Sequence, residues 1–395
     1  MPRSIPALVK PKLLVWARES AGLSLAQAAE RTKLDVETLR AWESEDAEDT
    51  PSMAQLRKLG DVYKRPIAVF FLSEPPQGFA PQREFRRLAG VLPGKESPEL
   101  LLALRWAVFR REAAIELHRL LGEAPNRIGT ALHPNMEAEE AGRQIRDLLG
   151  VSWRAQTEWT SAYQALNAWR SAMEAKHVLV FQAAAVELEE MRGTCIPDQP
   201  LPVILLNSKD APHGRIFSLL HEFAHILLHA GGHQTSRMIG ARSPEEQPLE
   251  VAANAFAAAA LLPAGLFVAA AAQYPGAAEG DDDALRRLAQ NVKVSPEVIL
   301  RRLVTLQKSP EGTYRRKRDA WGATLWYVRG AVGGPVPMEV RAIASDGRGY
   351  TRLVMSAYDQ RLISTNAASD YLGVKPRHFA NIRRELSLRP AMAGV

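Results

Sequence analysis

One stretch constrains the fold more than any other: His221-Glu222-Phe223-Ala224-His225 lies in a run where Phe217, Leu219, Leu220, Phe223, Ala224, Ile226, Leu227 and Leu228 are apolar. Apolar residues on nearly every side predict a helix buried inside a domain. Such a helix, carrying two imidazoles and a carboxylate, needs partners for them, and a metal ion would satisfy that need. Residues four apart share a helical face, so His221 and His225 can hold one ion while Glu222 reaches a water there as general base. The pattern points to hydrolysis. Three fixed letters in five also arise by chance, so the flanking sequence must carry weight.

A zinc site with two histidines takes a third protein ligand and keeps one position open. Glu250 is the candidate, in Leu249-Glu250-Val251-Ala252-Ala253-Asn254-Ala255-Phe256, where a second apolar helix begun near Ser243-Pro244 or Pro248 would cross the first. Asn254, one turn on, is placed to orient a ligand. Glu245 and Glu246 are rivals in a polar loop. His229 extends the histidine face as an alternative ligand or a structural residue, and His213 reads as a loop residue. Zinc suits two imidazoles and a carboxylate; manganese or iron tolerates the same set.

Arg215 to His225, followed by Glu250 to Ala257 and closed by Leu261-Leu262-Pro263, resembles the ImmA/IrrE family of metallopeptidases. The resemblance implies that the two histidines and a downstream glutamate hold the metal, that the motif glutamate is catalytic, and that the substrate is a DNA-binding repressor cut in a stress or mobile-element response. One departure is visible: where many members carry a second acidic residue this chain has Ala252, leaving Glu250 as the local carboxylate.

With 395 residues and 46% hydrophobic composition the chain has material for two to four domains. Its one cysteine, Cys195, excludes an intramolecular disulfide and suits a reducing compartment. A core or loop thiol accounts for Cys195 better than a catalytic one, since nothing nearby in sequence lowers its pKa. Lys10, Lys12, Arg18 and Glu19 interrupt any N-terminal signal-like run. Val251 to Ala272 is apolar enough to imitate a membrane span, but Asn254 and Pro263-Ala264-Gly265 break it, which predicts two packed core helices. The expected location is cytoplasmic, without a membrane partner.

Residues 12–72 read as an all-helical unit: Leu13 to Ser20, then a helix capped by Ser24 through Glu30, a turn at Leu34-Asp35, and a third helix from Val36 to Trp42. A tight turn between the second and third helices is the helix-turn-helix arrangement. Ala17-Arg18-Glu19, Gly22-Leu23-Ser24, Ala28-Ala29 and Trp42-Glu43 give it a resemblance to the XRE (Cro/C1-type) family, and Tyr63 to Leu72 resembles the segment that often joins such a domain to an ImmA/IrrE peptidase. From Asp35 to Asp49 there are seven acidic residues and one basic residue, Arg40, the wrong sign for a phosphate-facing surface. Gln27, Thr38 and Arg40 can reach bases or phosphates; the same fold can instead recognise a protein or form a homodimer.

Further on, Pro75-Pro76 and Pro81 mark a linker, followed by helices, and the runs His177 to Phe181 and Val203 to Leu206 read as strands. A small sheet beside the histidine helix would offer an extended peptide an edge. Residues 301–395 carry 17 Lys and Arg against 7 Asp and Glu, a local +10 within a net +6, leaving the preceding 300 residues at −4. This part holds two helix-turn-helix-like patterns: Leu285 to Leu306 around the cap Ser295, and Ile363 to Leu386 around Gly373-Val374-Lys375-Pro376. It also holds the basic run Arg315 to Arg318, near Tyr314, Trp321, Trp326 and Tyr327. Nucleic-acid contact, substrate docking and a solvated surface all remain open for it.

The fold expected is mainly α with a small β-sheet (α+β) and several domains: a helix-turn-helix domain at 1–75, a helical linker region at 76–150, a metallopeptidase domain at 151–275 and a basic helical region at 276–395. Two functions fit: a metal-dependent endopeptidase acting on a repressor, or a transcriptional regulator or toxin-antitoxin component with a non-catalytic metallopeptidase fold. The intact His221, Glu222, His225 and Glu250 favour the first.

Overall fold

The computed structural model describes residues 6–46, 49–63, 65, 67–75, 97–232, 247–323 and 336–388. They fall into two compact units, divided between Trp106 and Ala107. Helix dominates, with one three-stranded sheet, so the mainly helical α+β expectation holds.

The first unit contains α1 (Pro11–Ser20), α2 (Leu25–Thr32), α3 (Val36–Glu43) and α4 (Met53–Tyr63). Helix α1 starts two residues earlier than expected because Pro11 suits a first helical position, where its missing N–H costs nothing. Ser24 and Gln27 form a reciprocal capping box at the head of α2, which runs on to Thr32 and closes on Lys33 at φ 51°. The Asp35 carboxylate caps α3 by accepting from the Glu37 and Thr38 amides. Leu14, Leu39, Trp42, Leu56, Leu59 and Tyr63 fill the core. Along its rim Arg18 grips Glu43 through Nε and Nη2 at 2.8 Å each and donates Nη1 to the Leu23 carbonyl, tying α1 to the end of α3.

The long helix α5 (Pro98–Leu120) is followed by α6 (Ala138–Leu149), α7 (Trp153–Glu158) and α8 (Ala162–Glu174). Then come β1 (Leu179–Ala183), β2 (Gly193–Ile196) and β3 (Val203–Asn207), in the order β1-β3-β2. β1 runs parallel to β3, with Leu179 opposite Val203, and β2 runs antiparallel to it, with Gly193 opposite Leu206. The first strand begins two residues later than its apolar run suggested because His177, at φ 58°, belongs to the turn that ends α8. β2 was not expected: four residues beginning with glycine give no readable alternation.

Two helices lie across this sheet's side of the core, α9 (Pro212–Ala230) and α10 (Gln247–Leu261), with α11 (Ala264–Ala271) bent 58° away from α10 at the Leu262-Pro263 break. Among the described residues no single helix is long and apolar enough to cross a membrane, and the apolar stretch is two helices, as expected. Phe223, Leu219 and Ile216 of α9 pack with Phe256 and Ala253 of α10, Trp169 and Met173 of α8, and Ile204 of β3. α10 also meets α6 at backbone distance: a Cβ on Gly142 would stand 2.6 Å from the backbone of Ala259 and Ala260. The carbonyls at the C-terminal end of α10 have no helical partner. Three side chains take them: Arg146 Nη1 donates to Ala260 at 2.7 Å, Gln156 Nε2 to Leu261 at 3.1 Å and Arg302 Nε to Leu262 at 3.0 Å.

The remaining helices are α12 (Asp282–Val292), α13 (Pro296–Thr305), α14 (Glu311–Ala323), α15 (Met338–Asp346), α16 (Arg348–Asp359), α17 (Thr365–Leu372) and α18 (Phe379–Ser387). Ser295 caps α13 and Ser364 caps α17. The helix expected from Arg377 divides into a 3-10 turn at Pro376–His378 and α18. α15 packs on β1, where the Ala344 carbonyl accepts from Arg170 Nη1 at 2.6 Å and from Gln182 Nε2 at 2.8 Å.

Candidate metal centre

Pro212 opens α9 and Gly231 closes it, so the His-Glu-x-x-His pattern falls well inside a regular helix and its two imidazoles stand one turn apart. Their ring centroids are 4.8 Å apart, and Phe217, a turn earlier, lies against His221 at 6.3 Å and 27°. Glu250, in the first turn of α10, brings its carboxylate to both: Oε1 is 3.1 Å from His225 Nε2 and Oε2 is 3.6 Å from His221 Nε2.

A tetrahedral zinc with bonds of 2.0–2.1 Å separates its ligand atoms by about 3.4 Å. The two imidazole–carboxylate separations bracket that value, and ligand atoms of all three residues lie within 4.8 Å of one another. The donor set thus stands close enough to share one small divalent ion. His225 is 2% exposed, whereas His221 and Glu250 keep 12% and 17%, so one side of the cluster opens outward.

Glu222 is buried, and Gly193 makes its place. A Cβ on Gly193 would stand 3.2 Å from Glu222 Oε1 and 3.3 Å from Ser218 Cβ, tighter than side chains normally tolerate. Gly193 is not in the left-handed region, so its backbone imposes no glycine; the space does. Sequence reasoning missed this residue, because its importance exists only once β2 lies against α9.

Other candidates fall elsewhere. Asn254 is exposed, so it is not packed behind a ligand in this structure, and Ala252 is buried in the core. Ser243, Pro244, Glu245 and Glu246 lie outside the described residues, as do Pro76, Pro81, Trp326 and Tyr327. His229 is half-buried one turn beyond His225 and outside the three-residue cluster. His213, expected in a loop, is in the first turn of α9, where burial and then Lys293 push its pKa down. Cys195 is buried in β2 as part of the main core.

The basic candidates are largely spoken for. Arg40 binds Glu37 at 2.7 Å and the Gln27 oxygen is used by the Ser24 amide. Lys317 pairs with Asp282 at 2.9 Å, Arg383 Nε with Asp359 at 3.0 Å, and Arg384 contacts Asn381 at 3.2 Å.

Residues 174–304, from the end of α8 through α13, match the peptidase M78 family model, an IrrE N-terminal-like domain. Residues 13–62 match a helix-turn-helix domain. No curated protein matches the chain. The protein thus joins an N-terminal helix-turn-helix domain to an IrrE N-terminal-like domain of the metallopeptidase type, and the His221, His225 and Glu250 cluster lies within the second.

Proposed function

We propose that the protein is a cytoplasmic metal-dependent endopeptidase that cleaves a DNA-binding repressor, with His221, His225 and Glu250 holding one divalent ion and Glu222 serving as general base. The observation that carries this reading is the convergence of two imidazoles and a carboxylate from two helices, with ligand atoms within 4.8 Å of one another. Zinc is the ion the set favours, with manganese or iron tolerated.

A divalent cation held by His221, His225 and Glu250 would supply Lewis acidity toward water and a peptide carbonyl. Glu222, beside His221, is the carboxylate that would hold a proton taken from water and hand it to the departing amide nitrogen. β2 is an edge strand of the sheet, begins at the residue that faces Glu222, and offers backbone groups to an extended peptide. The helix-turn-helix domain supplies DNA or repressor recognition.

The test is cleavage of a purified helix-turn-helix repressor, starting with one encoded beside this protein's gene, by the full chain loaded with Zn2+ or Mn2+. Discrete fragments with wild type, and none with Glu222→Gln at unchanged metal content, are expected. Equal cleavage by the two proteins would dismiss Glu222 as the base.

A further inference from the structure

A cavity of about 230 Å3 lies in the second unit, and none of its lining residues belongs to α9 or α10. Its walls come from the end of α5, the turn after α8, and α16. Leu121, Val178, Leu201 and Leu353 make an aliphatic floor, and His118, His177 and Arg352 stand among them. Clefts for drug-sized ligands run to roughly 300–1,000 Å3, so an occupant here is small.

Two carboxylates in the wall are already committed. Glu174 accepts from Arg170 Nε at 3.1 Å and from the Gly349 amide at 2.9 Å, and Asp346 pairs with Arg110 at 3.0 Å. His118 Nδ1 is 3.1 Å from Glu123, and its ring lies 5.8 Å from that of His177. Arg352 is an exposed residue that makes no hydrogen bond or ion pair among the described residues, although its charge acts on the Glu174 carboxylate. With Glu123 facing His118, the lining groups left to meet a ligand are the His177 ring, the Arg352 guanidinium and the Ser356 hydroxyl, all able to donate.

His177 and Leu201 share a second property: both are non-glycine residues in the left-handed region, at φ 58° and φ 60°. L-residues adopt that conformation uncommonly, mostly in turns. Both residues line the cavity, His177 from the turn that ends α8 and Leu201 from the approach to β3.

We propose that this cavity binds a small organic anion, a carboxylate carrying an apolar body, with the carboxylate held by His177 and Arg352 and the body against Leu201 and Leu353. Burial and the neighbouring His118 hold the His177 pKa below its ordinary value, a penalty that an incoming anion reverses. The occupant would touch the end of α8, which packs on α9, and also α16. The site does not depend on the metal cluster or on peptidase activity.

Calorimetry on the full chain tests it, with phenylacetate as probe and its neutral amide, phenylacetamide, as control. Phenylacetate is expected to bind saturably, and about tenfold more tightly than the amide, because the charged hydrogen bonds are lost in the latter. Arg352→Ala, at an exposed position that does not endanger folding, and His177→Gln should each weaken phenylacetate binding about tenfold while amide binding stays the same. No saturable phenylacetate binding, equal affinity for acid and amide, or unchanged affinity in both variants would each overturn the proposal.

Discussion

His225 Nε2 stands 3.1 Å from Glu250 Oε1, although the two residues belong to different helices whose connection runs through a polar segment. What holds them together is the packing of α9 on α10 and the anchoring of α10 at its far end by Arg146, Gln156 and Arg302. α10 is thus held along its length by α9 and at its tail by three hydrogen bonds.

The cluster should take up one metal. Elemental analysis of protein reconstituted with Zn2+ is expected to find about one equivalent, with strong loss in His221→Ala and Glu250→Ala. Because the ion binds only the folded chain, the melting midpoint should rise with zinc concentration in the wild type and not in these variants. A midpoint that ignores zinc in the wild type would remove the metal site.

Gly193→Ala places a methyl group against Glu222 and Ser218 without straining the backbone. The variant is expected to fold and hold metal yet lose about tenfold or more in kcat on a cleaved repressor, because a small displacement of the base misaligns proton transfer. KM should change little. Wild-type kcat would mean that the carboxylate relaxes freely around the methyl group.

How far the sequence foretold these features follows from the range of each interaction. The His221 and His225 pair needs only helical periodicity, and the caps Ser24, Ser295 and Ser364 need only the residues beside them. Placing Glu250 took an assumption about how a second helix crosses the first. β2 and the contact of Gly193 with Glu222 are invisible locally, since a four-residue strand of Gly-Thr-Cys-Ile carries no pattern until β3 lies beside it. The cavity walled by His118, His177 and Arg352 joins three distant segments and leaves no motif at all.

Packing at the α6–α10 crossing leaves no room for a side chain. Gly142→Ala forces its Cβ onto the Ala259 and Ala260 backbone at 2.6 Å, and overpacking of this kind costs about 1–3 kcal/mol. Chemical denaturation should show that loss. Arg302→Met tests the anchor at the same end: it strips the Leu262 carbonyl of its partner, which costs about 1–3 kcal/mol for a buried group. Wild-type stability in Gly142→Ala would mean that the crossing can open to admit a methyl group, and in Arg302→Met that this hydrogen bond adds nothing to the hold on α10.

If the chain binds DNA, α3 and the basic C-terminal part are the two candidate readers, and salt dependence separates them. Arg40 on α3 is already bound by Glu37 at 2.7 Å in a stretch dominated by acidic residues, whereas residues 301–395 carry a local charge of +10. Each phosphate contact contributes about one unit to the slope of log K against log salt. Reversing Arg383 and Arg384 to Glu should therefore weaken duplex binding and flatten that slope more than Arg40→Ala does, measured by fluorescence anisotropy on the full chain. If Arg40→Ala has the larger effect, recognition belongs to the N-terminal helix-turn-helix domain, and the pairing of Arg383 with Asp359 marks a structural contact of α18 with α16.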